Sequence, residues 1–282
     1  MILLPFVALA AAQQLTVAGP PDGIEFRKPA GVPCRVVRVN LADPRVRVTV
    51  EVAQGFPNRA ESFSSLIARA RPTAAINGSF FSKTDLRPIG DIVVQGELVH
   101  RGWMGTALAI TRDNQAVIRR VNRGHAENWT GYETVLACGP KLVSAGRVDL
   151  LVDEEGFHDP HVLASTPRTG VGLTAAQELL LVQTLSPVDL PRWAEAMKAL
   201  GCVDAMNLDA GASMAMYYRG RMLRSPGRAL TNVLLVYVDS KPRDDSAPEQ
   251  TPSDRPVQNP PAIRKTHGGA PPIGWPPAKE RP

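Results

Sequence analysis

VDAMNLDAGASMAMYYRGRMLRSPGRALTN, residues 203–232, decides how this chain folds. Val203 to Leu208 reads as a buried strand that delivers Asp209 into a turn loosened by Gly211, with Ser213 directly behind. A carboxylate at the carboxyl end of a strand, beside residues small enough to admit a ligand, is a common place for chemistry in open sheets. The plainer alternative is an Asp that accepts the amides of its own turn. Downstream, MAMYYRGRML reads as strand, Arg-Gly turn, strand.

Outward from this stretch the pattern is one of strands with few helices. Asp189 to Leu200 is the clearest helix: Asp189 caps it, Pro191 sits in its first turn, and Trp193, Ala196, Met197 and Leu200 share a face. It runs straight into the Val203 strand as an αβ unit. Asn232 to Val238 is almost wholly apolar and reads as a central strand. Toward the N-terminus, CRVVRVNL and RVRVTVEV flank Ala42-Asp43-Pro44 and read as an antiparallel pair joined by a tight turn. Ser62 to Ala70 has helical spacing, ended by Pro72, and a short strand follows over 73–76. From Gly90 a meander of three strands is expected, then a polar interval over 123–134. Thr169 to Leu173 and Leu179 to Leu185 read as a strand pair. The long polar loop before it, 153–168, lacks periodicity, and such loops more often serve function than sit idle. The class expected is α+β, with mixed, largely antiparallel sheets and a few packed helices.

Composition narrows the function. The chain has 282 residues, 44% of them hydrophobic, and a net charge of +5. Arginines and lysines are scattered among acids and aromatic residues are sparse, so no nucleic-acid footprint is expected, only a mild preference for anionic ligands. The apolar run at 2–12 is too short to span a bilayer and ends in Ala10-Ala11-Ala12. It reads as a secretory signal over 1–12, although no Lys or Arg precedes Arg27; a buried strand or tail is the alternative. An extended lead-in follows over 13–33, a globular domain over 34–239, and a tail over 240–282. Eleven of the 42 residues from Lys241 onward are Pro, too little apolar surface to offset the entropy of ordering. The expectation is therefore a secreted or periplasmic bacterial protein without stable membrane insertion. Cys34, Cys138 and Cys202 are an odd number and form no metal signature.

Six short segments, in order, carry a resemblance. They are AINGSFF at 75–81, GDIVVQGELV at 90–99, GPKLVSAG at 139–146, PRTGVG at 167–172, GCVDAMNLDAGASMAM at 201–216 and NVLLV at 232–236. Together they resemble the phosphodiester glycosidase domain, the family of the lysosomal uncovering enzyme and of bacterial exopolysaccharide-associated proteins. This chain departs from the family pattern with Ser79 in place of a second Gly, with Met214 and Ala215 in place of hydroxyl residues, and with Thr166 in place of a common His.

The resemblance implies cleavage of a sugar-1-phosphodiester at the anomeric carbon, in an envelope or exopolysaccharide glycan. A phosphate ester already departs as a stable anion, so the acid partner of an ordinary glycosidase gains little here. One carboxylate can suffice, with donors holding the phosphate. Asp209 is expected to be that carboxylate and Arg168 to grip the phosphate. Ser213, Asn77, Thr169 and Asn232 are expected to hydrogen-bond sugar or phosphate, with Phe80 and Phe81 as a pocket wall and Gly211 as the flexible turn. The alternatives are that Arg168 pairs structurally with Asp209 and that Asn77 and Asn232 satisfy turn amides. Asp91, Glu97, His158 and His161 are weaker candidates. The His and acid cluster over 153–161 matches no ligand spacing, so no metal and no cofactor is expected. Two other classes compete. Gly211-Ala212-Ser213-Met214-Ala215 resembles a nucleophile elbow, which would make Ser213 an acyl-transfer nucleophile, but no suitable Asp and His follow. A non-catalytic glycan-binding envelope module is the other. Nothing in the sequence specifies an oligomeric state.

Overall fold

The structure, a computed structural model, describes residues 24–241. The leader expected at 1–12 and all but the first residues of the Pro-rich tail lie outside that range. Three sheets enclose one core. The first has seven strands in the order β1 (Ile24–Arg27), β2 (Cys34–Asn40), β13 (Glu178–Thr184), β12 (Thr169–Thr174), β14 (Cys202–Asn207), β10 (Lys141–Ser144), β11 (Arg147–Val148). The second has five: β16 (Arg221–Arg224), β15 (Met216–Tyr218), β4 (Ala74–Asn77), β17 (Asn232–Val238), β3 (Val46–Val52). The third runs β6 (Glu97–His100), β5 (Ile92–Val94), β9 (Tyr132–Cys138), β7 (Thr106–Thr111), β8 (Ala116–Arg120). The α+β class with largely antiparallel sheets holds, and every strand pair among the described residues is antiparallel.

Alternation in the strands decides which face is buried. Val37 and Val39 of β2, Val46, Val48 and Val50 of β3, and Leu179 and Leu181 of β13 all enter the shared core. The expected hairpin of β2 with β3 does not form. β2 pairs with β1 and β13, whereas β3 pairs with β17 in another sheet. The chain crosses between sheets at the 42–45 turn, so the two valine faces meet across the core instead of side by side. An alternating strand specifies which face is buried but not which neighbour it bonds. Two further expectations are corrected. β9 lies between β5 and β7, where a simple meander was expected, and it starts at Tyr132, inside the expected polar interval. The sheet also begins at Ile24, inside the expected lead-in, where β1 adds to β2.

The helices cover outer faces. α3 (Leu190–Ala199) is capped by the Asp189 side chain, which accepts from the Arg192 amide, and it packs Trp193, Ala194 and Met197 on the seven-stranded sheet. The sheet is cut to receive it: a β-carbon at Gly170 would lie 3.0 Å from the Trp193 ring, and one at Gly172 would lie 3.1 Å from the Met197 methyl. α1 (Phe63–Ala70), capped by Ser62 and ended by Arg71 in the left-handed conformation, covers the five-stranded sheet through Phe63, Leu66 and Ile67. α2 is a single turn (Pro160–Leu163) in the 153–168 loop. Trp193 is fully buried. Trp193→Ala should therefore lower the unfolding free energy by about 3–5 kcal/mol in urea titrations. A loss below about 1 kcal/mol would show that α3 contributes little to holding the sheet.

Candidate active site

The ends of four strands meet at Asp209. β14 delivers it: past Asn207 the Leu208 amide still donates to the Thr169 carbonyl, and the Asp209 amide crosses to the Gly78 carbonyl beyond β4. Asn77, at the end of β4, is 1% exposed and bonds at both ends of its carboxamide. Its Nδ2 donates to the Asp209 carbonyl at 2.7 Å and its Oδ1 accepts from the Ala215 amide at 3.0 Å. Asn232, at the start of β17, accepts the Ser79 amide on Oδ1 at 2.8 Å, and its carbonyl accepts from the Gly78 amide. The residue between must be Gly: a β-carbon at Gly78 would stand 1.9 Å from Asn232 Oδ1. Asn77 and Asn232 thus spend their polar groups on backbone and on Thr231, whose hydroxyl accepts from Asn232 Nδ2.

The Asp209 side chain is 6% exposed. Oδ1 accepts from the Ala210 amide at 2.8 Å, and Oδ2 accepts from Arg228 Nη2 at 2.8 Å. Burial raises its pKa above the ordinary carboxylate range; the Arg228 charge, the Ser213 hydroxyl and the Ala210 amide pull it back down. Arg228 joins the group together. Its Nε donates to Ser213 Oγ at 2.6 Å, and its guanidinium carbon lies 4.5 Å from the centre of the Phe81 ring. The Arg228 side chain keeps 32% of its surface exposed, so it is the part of the constellation that meets solvent. Ser213 sits in a short 3-10 turn, 211–213, that begins with Gly211 at φ +60°. The Gly211 amide donates to the Pro167 carbonyl.

Arg168 is placed elsewhere, which corrects both roles expected for it. It is fully buried, and its Nε, Nη1 and Nη2 donate to the carbonyls of Val188, Val162 and Ala164. Burial lowers its pKa to about 10, with Asp189 acting in the opposite direction. It therefore braces the loop that carries Thr166 and Pro167 against Gly211, and the partner of Asp209 is Arg228. Thr169 is also buried; its hydroxyl accepts from Gln183 and its carbonyl from the Leu208 amide. Phe80 is half-buried and tilts against Phe157, so the ring on the arginine is that of Phe81. Asp91 is buried beneath Trp129, Arg101 and the Gly102 amide. Glu97 and His161 are exposed, and His158 pairs with Asp153 at the surface. The acyl-transfer reading needs a base on Ser213, and the partner present is Arg228; the chain leaves the turn as strand β15, not as a helix. Among the described residues no group of acids, His and Cys is arranged to hold a metal. Arg228 itself was absent from the residues expected from sequence. Its one signal is position, after Ser225-Pro226-Gly227 and just before Asn232.

The model of the phosphodiester glycosidase family matches residues 70–237. No curated protein sequence matches the chain. Among solved structures, the fold is similar to the catalytic domain of zebrafish N-acetylglucosamine-1-phosphodiester alpha-N-acetylglucosaminidase auto-inhibited by its pro-peptide. The TM-score there is 0.62 at 20% identity, covering 76% of this chain and 81% of that one. A hypothetical protein from Synechocystis gives a TM-score of 0.58 at 17% identity, covering 76% of this chain and 61% of the other. A Burkholderia pseudomallei protein named as exported gives 0.54 at 15% identity, covering 73% and 74%. Three sheets closed around one core, with strand ends converging on Asp209, and a family match over most of the described residues make this chain a member of the phosphodiester glycosidase family.

Proposed function

We propose that this chain hydrolyses a sugar-1-phosphodiester at the anomeric carbon, with an envelope or exopolysaccharide glycan as the source of the sugar. The observation that carries the reading is the pairing of a buried carboxylate, Asp209, with a half-exposed cation, Arg228, beside an aromatic ring. A diester phosphate is an anion that a guanidinium binds in a fork. Arg228 turning one edge toward it leaves Asp209 facing the sugar carbon. The anomeric C–O bond breaks and its electron pair leaves with the phosphate monoester. Asp209 supplies the carboxylate, either attacking the sugar carbon to form a glycosyl ester that water then cleaves at the same carbon, or taking the proton of a water that attacks directly. Ser213, already bonded to Arg228, holds the guanidinium in line.

Export is part of the proposal. Its support is the apolar leader at 1–12 and a structural neighbour named as exported; among the described residues no helix is long and apolar enough to cross a membrane.

The deciding assay follows release of reducing sugar from an N-acetylglucosamine-1-phosphodiester in oxygen-18 water. Label is expected on the sugar and not on the phosphate. Asp209→Asn should lower kcat/KM by about 10³-fold or more, and Arg228→Gln by about 10²-fold. Asp209→Asn activity within a few-fold of wild type, or label found on phosphate, would remove Asp209 from the chemistry.

Stability offers an independent check. Burial raises the Asp209 pKa in the folded protein, so folded chains hold that proton more tightly than unfolded ones. The stability this contributes is complete below the unfolded carboxylate value of about 4 and is lost as pH rises through the folded value. Thermal melts of wild type minus Asp209→Asn should therefore fall with rising pH across that window; a flat difference would contradict the raised pKa.

A further inference from the structure

A second group of charges lies next to the site without belonging to it. β16 is the outer strand of its sheet, and it pairs with β15 through an irregular register: Tyr218 faces Arg221, Tyr217 faces Met222, and Met216 faces Arg224. The extra residue at Leu223 is a bulge, and it changes which way the strand points. Without it, Arg221 and Arg224 would fall on opposite faces. With it, both share the face of Tyr218 and Met216, the face turned toward the common core.

Arg35 meets them from the other sheet. It lies on the same face of β2 as Val37, and its Nη1 donates to the Leu223 carbonyl at 3.0 Å. Its guanidinium also lies 5.6 Å from the ring of Phe26, the residue directly across the β1–β2 ladder. That ring is 68% exposed. Burial and the charges of Arg224 and Arg221 lower the Arg35 pKa. Like charges held together around an anchored guanidinium are relieved by a bound anion.

The cluster connects to Asp209 through few atoms. Gln183, directly opposite Arg35 on β13, donates to the Ala215 carbonyl, and the Ala215 amide donates to Asn77. Arg224 precedes Arg228 by one short loop.

We propose that Arg35, Arg221 and Arg224 form an exosite for the anionic residues of a glycan chain whose reducing end lies at Asp209. The proposal rests on the glycan reading of the neighbouring site. Carboxylates or phosphates borne by successive sugars meet the three guanidinium groups, and the exposed Phe26 ring takes the apolar face of one sugar. Three arginines and one exposed ring suit a single flexible strand of sugars better than a duplex, whose footprint is a longer basic stripe.

The test uses the full chain carrying Asp209→Asn, so that turnover does not interfere, titrated calorimetrically with hexagalacturonate and with neutral maltohexaose. Hexagalacturonate is expected to bind, more weakly as salt rises, and maltohexaose is not. Adding Arg221→Gln and Arg224→Gln, both on exposed positions, should weaken hexagalacturonate binding by about tenfold. In the wild-type background the same pair should leave turnover of a small sugar phosphodiester within about twofold. Unchanged hexagalacturonate affinity in the double variant overturns the exosite. So does equal binding of maltohexaose, or tighter binding of a DNA duplex or of vesicles containing phosphatidylglycerol. If no sugar phosphodiester is turned over but the double variant still loses hexagalacturonate, the exosite stands and the catalytic reading falls.

Discussion

The two hydrogen bonds of the Asn77 side chain hold the site in one place. They join the backbone of Asp209, past the end of a seven-stranded sheet strand, to the backbone of Ala215, entering the five-stranded sheet. Two sheets that share only apolar core contact can slide, because dispersion and burial carry little direction. A buried carboxamide with a donor on one side and an acceptor on the other cannot slide without losing both bonds. Leaving either group unpaired in that setting costs about 1–3 kcal/mol. One strand over, Asn232 accepts the Ser79 amide on Oδ1 and gives Nδ2 to the Thr231 hydroxyl, with Gly78 left bare beside it. The two asparagines hold backbone, and by doing so they fix where the Asp209 carboxylate points.

Opposing influences act on the ionisation of that carboxylate. Burial opposes ionisation, and Arg228, Ser213 and the Ala210 amide oppose burial. A deeply buried cation would make the pair a fixed structural ion pair. Arg228 remains partly in water and stacks on Phe81, so it can exchange partners at modest cost. The contrast with Arg168 is instructive. The same side chain, buried and turned to three carbonyls, ties a loop together. The loop it stiffens is held at its other end by Glu155, which accepts the Thr106 hydroxyl, Arg120 and the Lys141 amide and so ties the third sheet to the first. Phe157 in turn supports Phe80.

Much of this was legible in the sequence because the local signals and the tertiary outcome agree. α3 carries its cap, its first-turn proline and its apolar stripe in order. Asn77, Asn232 and Asp209 stand at or just past strand ends, and Gly211 and Ser213 form the turn between β14 and β15. Sheet membership was not legible: β2 and β3 carry the same alternating valines whether they pair or face one another. The arginine was not legible either. Arg168 sits in a recognisable motif, and motif position says nothing about where a long side chain turns. Arg228 lies in a short polar loop whose route is set by β16 and β17, two strands brought near Asp209 only by the complete fold.

The departures at 214 and 215 follow from the same division of labour between backbone and side chain. Met214 and Ala215 are both buried. What the site takes from Ala215 is its amide, given to Asn77, and its carbonyl, which accepts from the Asn77 amide and from Gln183. Any residue small enough to fit offers those groups. Ser79 likewise contributes its amide to Asn232, and turns its hydroxyl to the Ala137 carbonyl in the neighbouring sheet. Among the side chains around Asp209, Arg228 is the one that keeps a third of its surface exposed, with the Phe81 ring beside it. Substitutions at 214 and 215 therefore bear on packing first, because the groups used there are backbone ones.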